Sequence, residues 1–115
     1  MSESGQADRP WHFYLDDMLE FARKAETYTR ELEFDDFLND SLTYDATIRN
    51  LELIGEAARH IPEHIRSKHP DIPWRQMMAT RNRLIHAYLG IDDDTVWSIV
   101  TDDIPELISA LEKMR

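Results

Sequence analysis

The amino-acid sequence predicts an all-α fold, an up-down four-helix bundle with short additional helical turns, and three observations carry that expectation. The 115 residues hold only three glycines. No stretch alternates β-branched and polar residues in the manner of a half-buried strand. Apolar residues instead recur every three or four positions through four long segments, the spacing that lines one face of a helix.

The first segment is expected to start after Asp8 as cap, with Pro10 in the first turn, and to reach about Glu31. Trp11, Tyr14, Leu15, Met18, Leu19, Phe21, Ala22, Ala25 and Tyr28 form its apolar side. Asp35 or Asp36 then opens a short turn holding Phe37 and Leu38. The second long helix runs from Ser41, with Leu42, Ala46, Ile48, Leu51, Leu53, Ile54, Ala58 and Ile61 as its apolar side, and stops at Pro62. A helical turn around His64 to Lys68 and a loop at Pro70 to Pro73 redirect the chain. Pro73 opens a third helix carrying Trp74, Met77, Met78, Leu84, Ile85 and Tyr88, which Gly90 ends. Asp92 to Asp94 cap the fourth, with Val96, Trp97, Ile99, Val100, Ile104, Leu107, Ile108 and Leu111, and Pro105 is expected to kink or split it.

Length and composition bound the function. The chain suits one domain, residues 9–115, after a polar, disordered lead-in at Met1 to Asp8. No apolar run approaches the roughly 18 residues of a membrane span, and the start lacks the basic and apolar regions of a signal peptide, so a cytoplasmic protein without a membrane partner is expected. The absence of cysteine excludes disulfides, a thiolate nucleophile and thiolate metal sites. The net charge of −10 is unfavourable for a nucleic-acid enzyme. Its distribution is uneven, because Arg59 to Arg83 contains six basic residues against two acids. Such a stretch could admit RNA at one place or dock an acidic partner.

The segment Arg81-Asn82-Arg83-Leu84-Ile85-His86-Ala87-Tyr88 carries the chemistry. On a straight helix turning about 100° per residue, Asn82 and His86 share a face as an i, i+4 pair. Arg81 then falls with Ile85 and Tyr88, about 140° from His86, in line with Trp74, Met77 and Met78. An arginine beside an apolar stripe must be paired, reach outward, or face a second protein surface. His86 bonded to Asn82, and Arg81 in a salt bridge to a neighbouring helix, would be the plain structural alternative.

At this point the sequence resembles the HEPN-domain ribonucleases and, within them, the HepT-like toxins. Arg81, the polar Asn82, His86 and Tyr88 fill the positions of that motif. Gly55-Glu56-Ala57, Pro73-Trp74 and Asp94-Thr95-Val96-Trp97 extend the resemblance over nearly the whole chain. It implies a metal-independent endoribonuclease toxin of a type VII HEPN/MNT toxin-antitoxin pair, with no cofactor. It also implies a homodimer whose protomers bring their motifs into one cleft, which the 140° divergence of Arg81 and His86 would favour. The expected partner is a minimal nucleotidyltransferase antitoxin that silences the toxin by adding AMP to Tyr88. A non-catalytic helical module that binds such a nucleotidyltransferase or a nucleotide, or that only dimerises, is the alternative, and the acidic balance favours it.

These residue types suit RNA cleavage through the ribose 2′-hydroxyl, a nucleophile already on the substrate. His86 takes or gives a proton, since an unperturbed imidazole titrates near pH ~6.5. Arg81 grips phosphate oxygens with its planar fork and stabilises the added charge. Asn82 orients His86 or bonds the phosphate. Products would be a 2′,3′-cyclic phosphate and a 5′-hydroxyl. Glu56 is expected to line the cleft or pair with Arg81, and Arg83 is a further cleft candidate, while Gly55 permits close helix packing. His60 and His64 match H-x-x-E-H, but Pro62 interrupts the helix that zinc ligation needs, so no metal is expected there. Glu52 and Glu56 read as a solvated pair balanced by Arg49 and Arg59, and Trp11, Trp74 and Trp97 as core.

Overall fold

A computed structural model describes residues 9–86 and 90–115, with Ile85 and His86 described through their backbone. The expected lead-in, the Asp8 cap and Tyr88 lie outside these residues. Helix α1, Trp11–Thr29, begins at Pro10 as its N-cap, and buries Leu15, Met18, Leu19, Ala22 and Ala25. It stops short of Glu31, where the Thr29 hydroxyl donates to the Ala25 carbonyl at 2.8 Å and the Leu32 N–H closes onto Thr29. Helix α2, Phe34–Asn39, opens with a reciprocal capping box between Glu33 and Asp36, so the cap is Glu33 rather than Asp35 or Asp36. Its Phe37 is fully buried, with the rings of Tyr44 and Trp97 at 5.2 and 5.1 Å.

Helix α3, Ser41–Ala58, is capped by the Asp40 carboxylate, which accepts from the Thr43 N–H at 3.1 Å. It packs along α1 and buries Ile48, Leu51, Ile54 and Ala58. Leu42 was expected on that side but is 80% exposed, because it sits about 180° around the helix from Leu51. Leu53 departs in the same direction and is only half-buried. A short α4, Glu63–Arg66, follows Pro62.

The third expected helix is not continuous. Pro73 caps α5, Trp74–Met78, the chain turns at Ala79, and α6 covers only Thr80–Leu84. Ile85 and His86 then form a two-residue strand, β1, pairing antiparallel with β2, Gly90–Ile91, in the register Ile85 with Ile91 and His86 with Gly90. Gly90 adopts φ 82°, which a side chain would strain.

Asp92 caps α7, Asp93–Ser98, accepting from the Thr95 N–H at 3.3 Å. A π-helical stretch, Ile99–Asp103, leads into α8, Ile104–Met114. Pro105 accounts for that widening. Its ring would clash with the carbonyl four residues back, and the Ile104 N–H instead reaches the Ile99 carbonyl, five residues back. The split predicted at Pro105 is therefore a π turn just before it. The core joins α1, α3, α5 and the last helical stretch, with Trp74 buried and Trp11 and Trp97 packed against it in part. Apart from the small β1–β2 pair, the described residues form an all-α bundle. Among them no helix is long and apolar enough to cross a membrane.

Candidate active site

The break between α5 and α6 is built from α3. Gly55 lies against the Met77 backbone, and a Cβ there would overlap the Met77 carbonyl oxygen. The close packing expected of Gly55 is thus observed, and its target is a helix end. In a continuous helix the Met77 and Met78 carbonyls would accept from Arg81 and Asn82. Here the Thr80 hydroxyl donates to the Met77 carbonyl at 2.5 Å, and the Arg59 guanidinium donates to the Met78 carbonyl at 2.9 Å. Arg66 adds a contact to the Met78 sulfur at 3.6 Å. The ladder resumes with the Arg83 N–H on the Ala79 carbonyl at 3.0 Å.

That break turns Arg81 out of the core. A straight helix would put it in line with the core-type residues, whereas in the structure it is exposed and lines a groove with Met77 and Met78. Arg81 makes no ion pair among the described residues. Asn82 is exposed as well. Because α6 ends at Leu84, Asn82 and His86 do not share a helical face, and the 140° divergence between Arg81 and His86 does not apply. His86 instead enters a strand, opposite Gly90.

A groove of about 370 Å³ runs between α3 and the α5–α6 break. Along α3 it is lined by Arg49, Glu52, Glu56 and Arg59, and across from them by Met77, Met78 and Arg81. Its volume lies in the range of small-molecule sites. Glu56 lines the groove together with Arg81 but pairs with Arg59, at 4.0 Å, and not with Arg81. Arg83 does not join this groove. Half-buried, it reaches the Asp103 carboxylate at 3.3 Å beneath the last helical stretch.

In the sequence Arg49 and Arg59 read only as counter-charges to Glu52 and Glu56, yet both line the groove. The available signal was the spacing of Arg49, Glu52, Glu56 and Arg59 on one side of α3, opposite the buried Leu51 and Ala58. No pattern in the sequence marks Tyr44, whose hydroxyl donates to the Asp93 carboxylate and ties α3 to the start of α7. Burial, then the neighbouring Asp93, pushes the Tyr44 hydroxyl up to about 12. His60 stacks on Tyr14 with ring centroids 4.3 Å apart, and no cluster of His, Asp and Glu suited to a metal ion occurs among the described residues.

The family described as Ribonuclease HepT-like matches residues 18–114. A protein of Thermococcus cleftensis named "Probable ribonuclease HepT" is 48% identical over 102 residues, covering 89% of this chain and 93% of that one. The "Putative RNase MJ1380" of Methanocaldococcus jannaschii is 40% identical over 99 residues, covering 86% and 91%. A Caldanaerobacter subterraneus protein named "Putative RNase TTE0752" is 34% identical over 94 residues, covering 82% and 84%. No solved structure matches the chain. With most of its described helices inside the matched region and its relatives aligned nearly end to end, the chain belongs to the HepT-like family of HEPN ribonucleases, a family of endoribonucleases.

Proposed function

We propose that this chain is the endoribonuclease toxin of a type VII HEPN/MNT toxin-antitoxin pair, cutting RNA without a metal ion. The observation that carries the reading is Arg81: exposed, unpaired among the described residues, and set on a polar groove in a member of a ribonuclease family. The 2′-oxygen attacks the adjacent phosphorus as its proton is taken, the bond from phosphorus to the 5′-oxygen breaks, and that oxygen receives a proton. The products are a 2′,3′-cyclic phosphate and a 5′-hydroxyl. Arg81 holds the phosphate oxygens and balances the charge added in the pentacoordinate state. His86 moves the protons, and Asn82 bonds the phosphate or orients the imidazole.

The active unit is a homodimer in this reading, with Arg81 and Asn82 facing a shared cleft and two copies of His86 serving as acid and base. Support comes from the family resemblance and from the exposure of Arg81 and Asn82. A minimal nucleotidyltransferase is the proposed antitoxin, and AMP on Tyr88 would bring negative phosphates to the segment that must bind RNA phosphate. The net charge of −10 favours a second reading, a non-catalytic module that binds the nucleotidyltransferase.

Cleavage of RNA by the purified chain in excess chelator separates the two. The parent should cut, a 2′-deoxy residue at the scissile position should abolish cutting, and Arg81→Ala and His86→Ala should each lower the rate by about a hundredfold or more. A parent that neither cuts RNA nor arrests growth when produced without its antitoxin leaves only the binding module. Dimer formation is checked separately, by sedimentation.

A further inference from the structure

The groove holds more cationic groups than one phosphate requires. Arg49 is exposed, lines the groove and makes no ion pair among the described residues. Arg59 is fixed by its bond to the Met78 carbonyl and its looser contact with Glu56, which leaves further N–H donors unused. Both belong to the same face of α3, ten residues apart, or about 15 Å along the helix axis. Between them lie Glu52 and Glu56, whose carboxylates repel phosphate and confine it to the two ends of that face.

We infer that Arg49 and Arg59 are flanking phosphate positions, holding the backbone of a single-stranded RNA on either side of the phosphate gripped by Arg81. The inference rests on the ribonuclease reading and extends it along α3. A span of about 15 Å exceeds the ~3.4 Å rise of one stacked nucleotide, so the strand lies along α3 over more than one residue. The nucleoside part between the phosphates faces Glu52 and Glu56, where ribose hydroxyls and base amino groups can donate to carboxylates.

Two substrates test this with the full chain: an oligoribonucleotide, and a ribonucleoside 3′-aryl phosphate that offers the 2′-hydroxyl and one phosphate but no flanking one. Arg49→Ala should raise KM for the oligoribonucleotide about tenfold, with the loss confined to KM and not sensed by the minimal substrate. The slope of log affinity against log salt for the oligoribonucleotide should fall by about 0.7, one phosphate contact on a single strand. Arg59→Ala should flatten the salt slope by a similar amount, but because Arg59 also holds the Met78 carbonyl beside Arg81 it should in addition lower kcat on both substrates, with partial rescue by Arg59→Lys. An Arg49→Ala protein equal to its parent, or impaired equally on both substrates, overturns the inference. If the parent cuts neither substrate, the ribonuclease reading fails by itself. Binding of the labelled oligoribonucleotide then decides: an Arg49-dependent salt slope supports the flanking positions, and an unchanged slope or no binding overturns them.

Discussion

Between Asp93 and Met114 the backbone widens by one residue at Ile99–Asp103 and then runs on as a helix, its buried side hardly disturbed. Between Trp74 and Leu84 it turns at Ala79, restarts for one turn and passes into a strand. The first interruption is local, since Pro105 removes a donor and forces a wider turn. The second is imposed from outside. Gly55, Arg59 and Arg66 hold Met77 and Met78, and only Thr80 acts from within the segment itself. A helix broken by its own proline keeps its direction and its core. One broken by a neighbouring helix can redirect its polar residues, and this one delivers Arg81 to solvent.

The largest effect is expected where the neighbour presses hardest. In Gly55→Ala the added Cβ would overlap the Met77 carbonyl, and since backbone cannot swing aside as a side-chain tip can, α5 must shift. A loss of about 1–3 kcal/mol in denaturant unfolding is expected, with RNA cleavage falling further than stability explains because the groove wall moves. A stable, fully active Gly55→Ala protein would show that the tight approach has no part in placing Arg81.

Thr80→Val sharpens the same point with less damage, because it keeps the buried shape and deletes the hydroxyl that holds the Met77 carbonyl. About 1 kcal/mol of stability should be lost. Steady-state cleavage should show a lower kcat if the turn at Ala79 positions Arg81, and an unchanged kcat would assign the turn to Gly55 and Arg59 alone.

Pro105→Ala is the matching change in the last stretch. The new N–H can bond the Thr101 carbonyl, so the π turn should narrow toward regular helix, with slower amide exchange there and stability altered by no more than about 1 kcal/mol. Cleavage should be untouched. If it falls as far as in Thr80→Val, the last stretch takes part in shaping the site and the contrast between the two interruptions collapses.

The same contrast explains what the sequence could disclose. The faces of α1 and the last stretch, the stop near Pro62, the Asp92 cap and the effect of Pro105 depend on residues close in sequence, and periodicity or proline chemistry reveals them. The turn at Ala79 depends on residues about twenty positions away, and no glycine or proline lies near it. A straight helix drawn through Arg81 therefore misses that His86 lies in a strand and that Arg81, though it shares a groove with the two methionines, is exposed. Leu42 and Leu53 differ in kind, because at about 100° per residue they lie about 180° and about 200° around α3 from the buried Leu51, off the core-facing stripe. Arg49 and Arg59 escape notice in the sequence because the carboxylates between them make them look neutralised, and only the groove shows Arg49 without an ion pair among the described residues and Arg59 with N–H donors unused.

Tyr44 bears on how firmly the last stretch is anchored where it begins, and its effect should be the smallest. Its hydroxyl donates to Asp93 in the first turn of α7, and burial together with that carboxylate lifts its ionisation from the usual ~10 to about 12. The folded state thus keeps a proton that the unfolded chain releases near pH ~10, and where the folded state binds more protons, stability falls as pH rises. The contribution of Tyr44 is fully present below about pH 10 and is lost progressively as pH climbs toward 12. Denaturant midpoints for the parent and Tyr44→Phe, compared at about pH 9 and about pH 12, isolate this group, because the other tyrosines are common to both proteins. The parent should lose more stability than the variant across that interval. Parallel loss in the two proteins would mean that the link from Tyr44 to Asp93 does not hold the start of α7, and that the Asp92 cap does so alone.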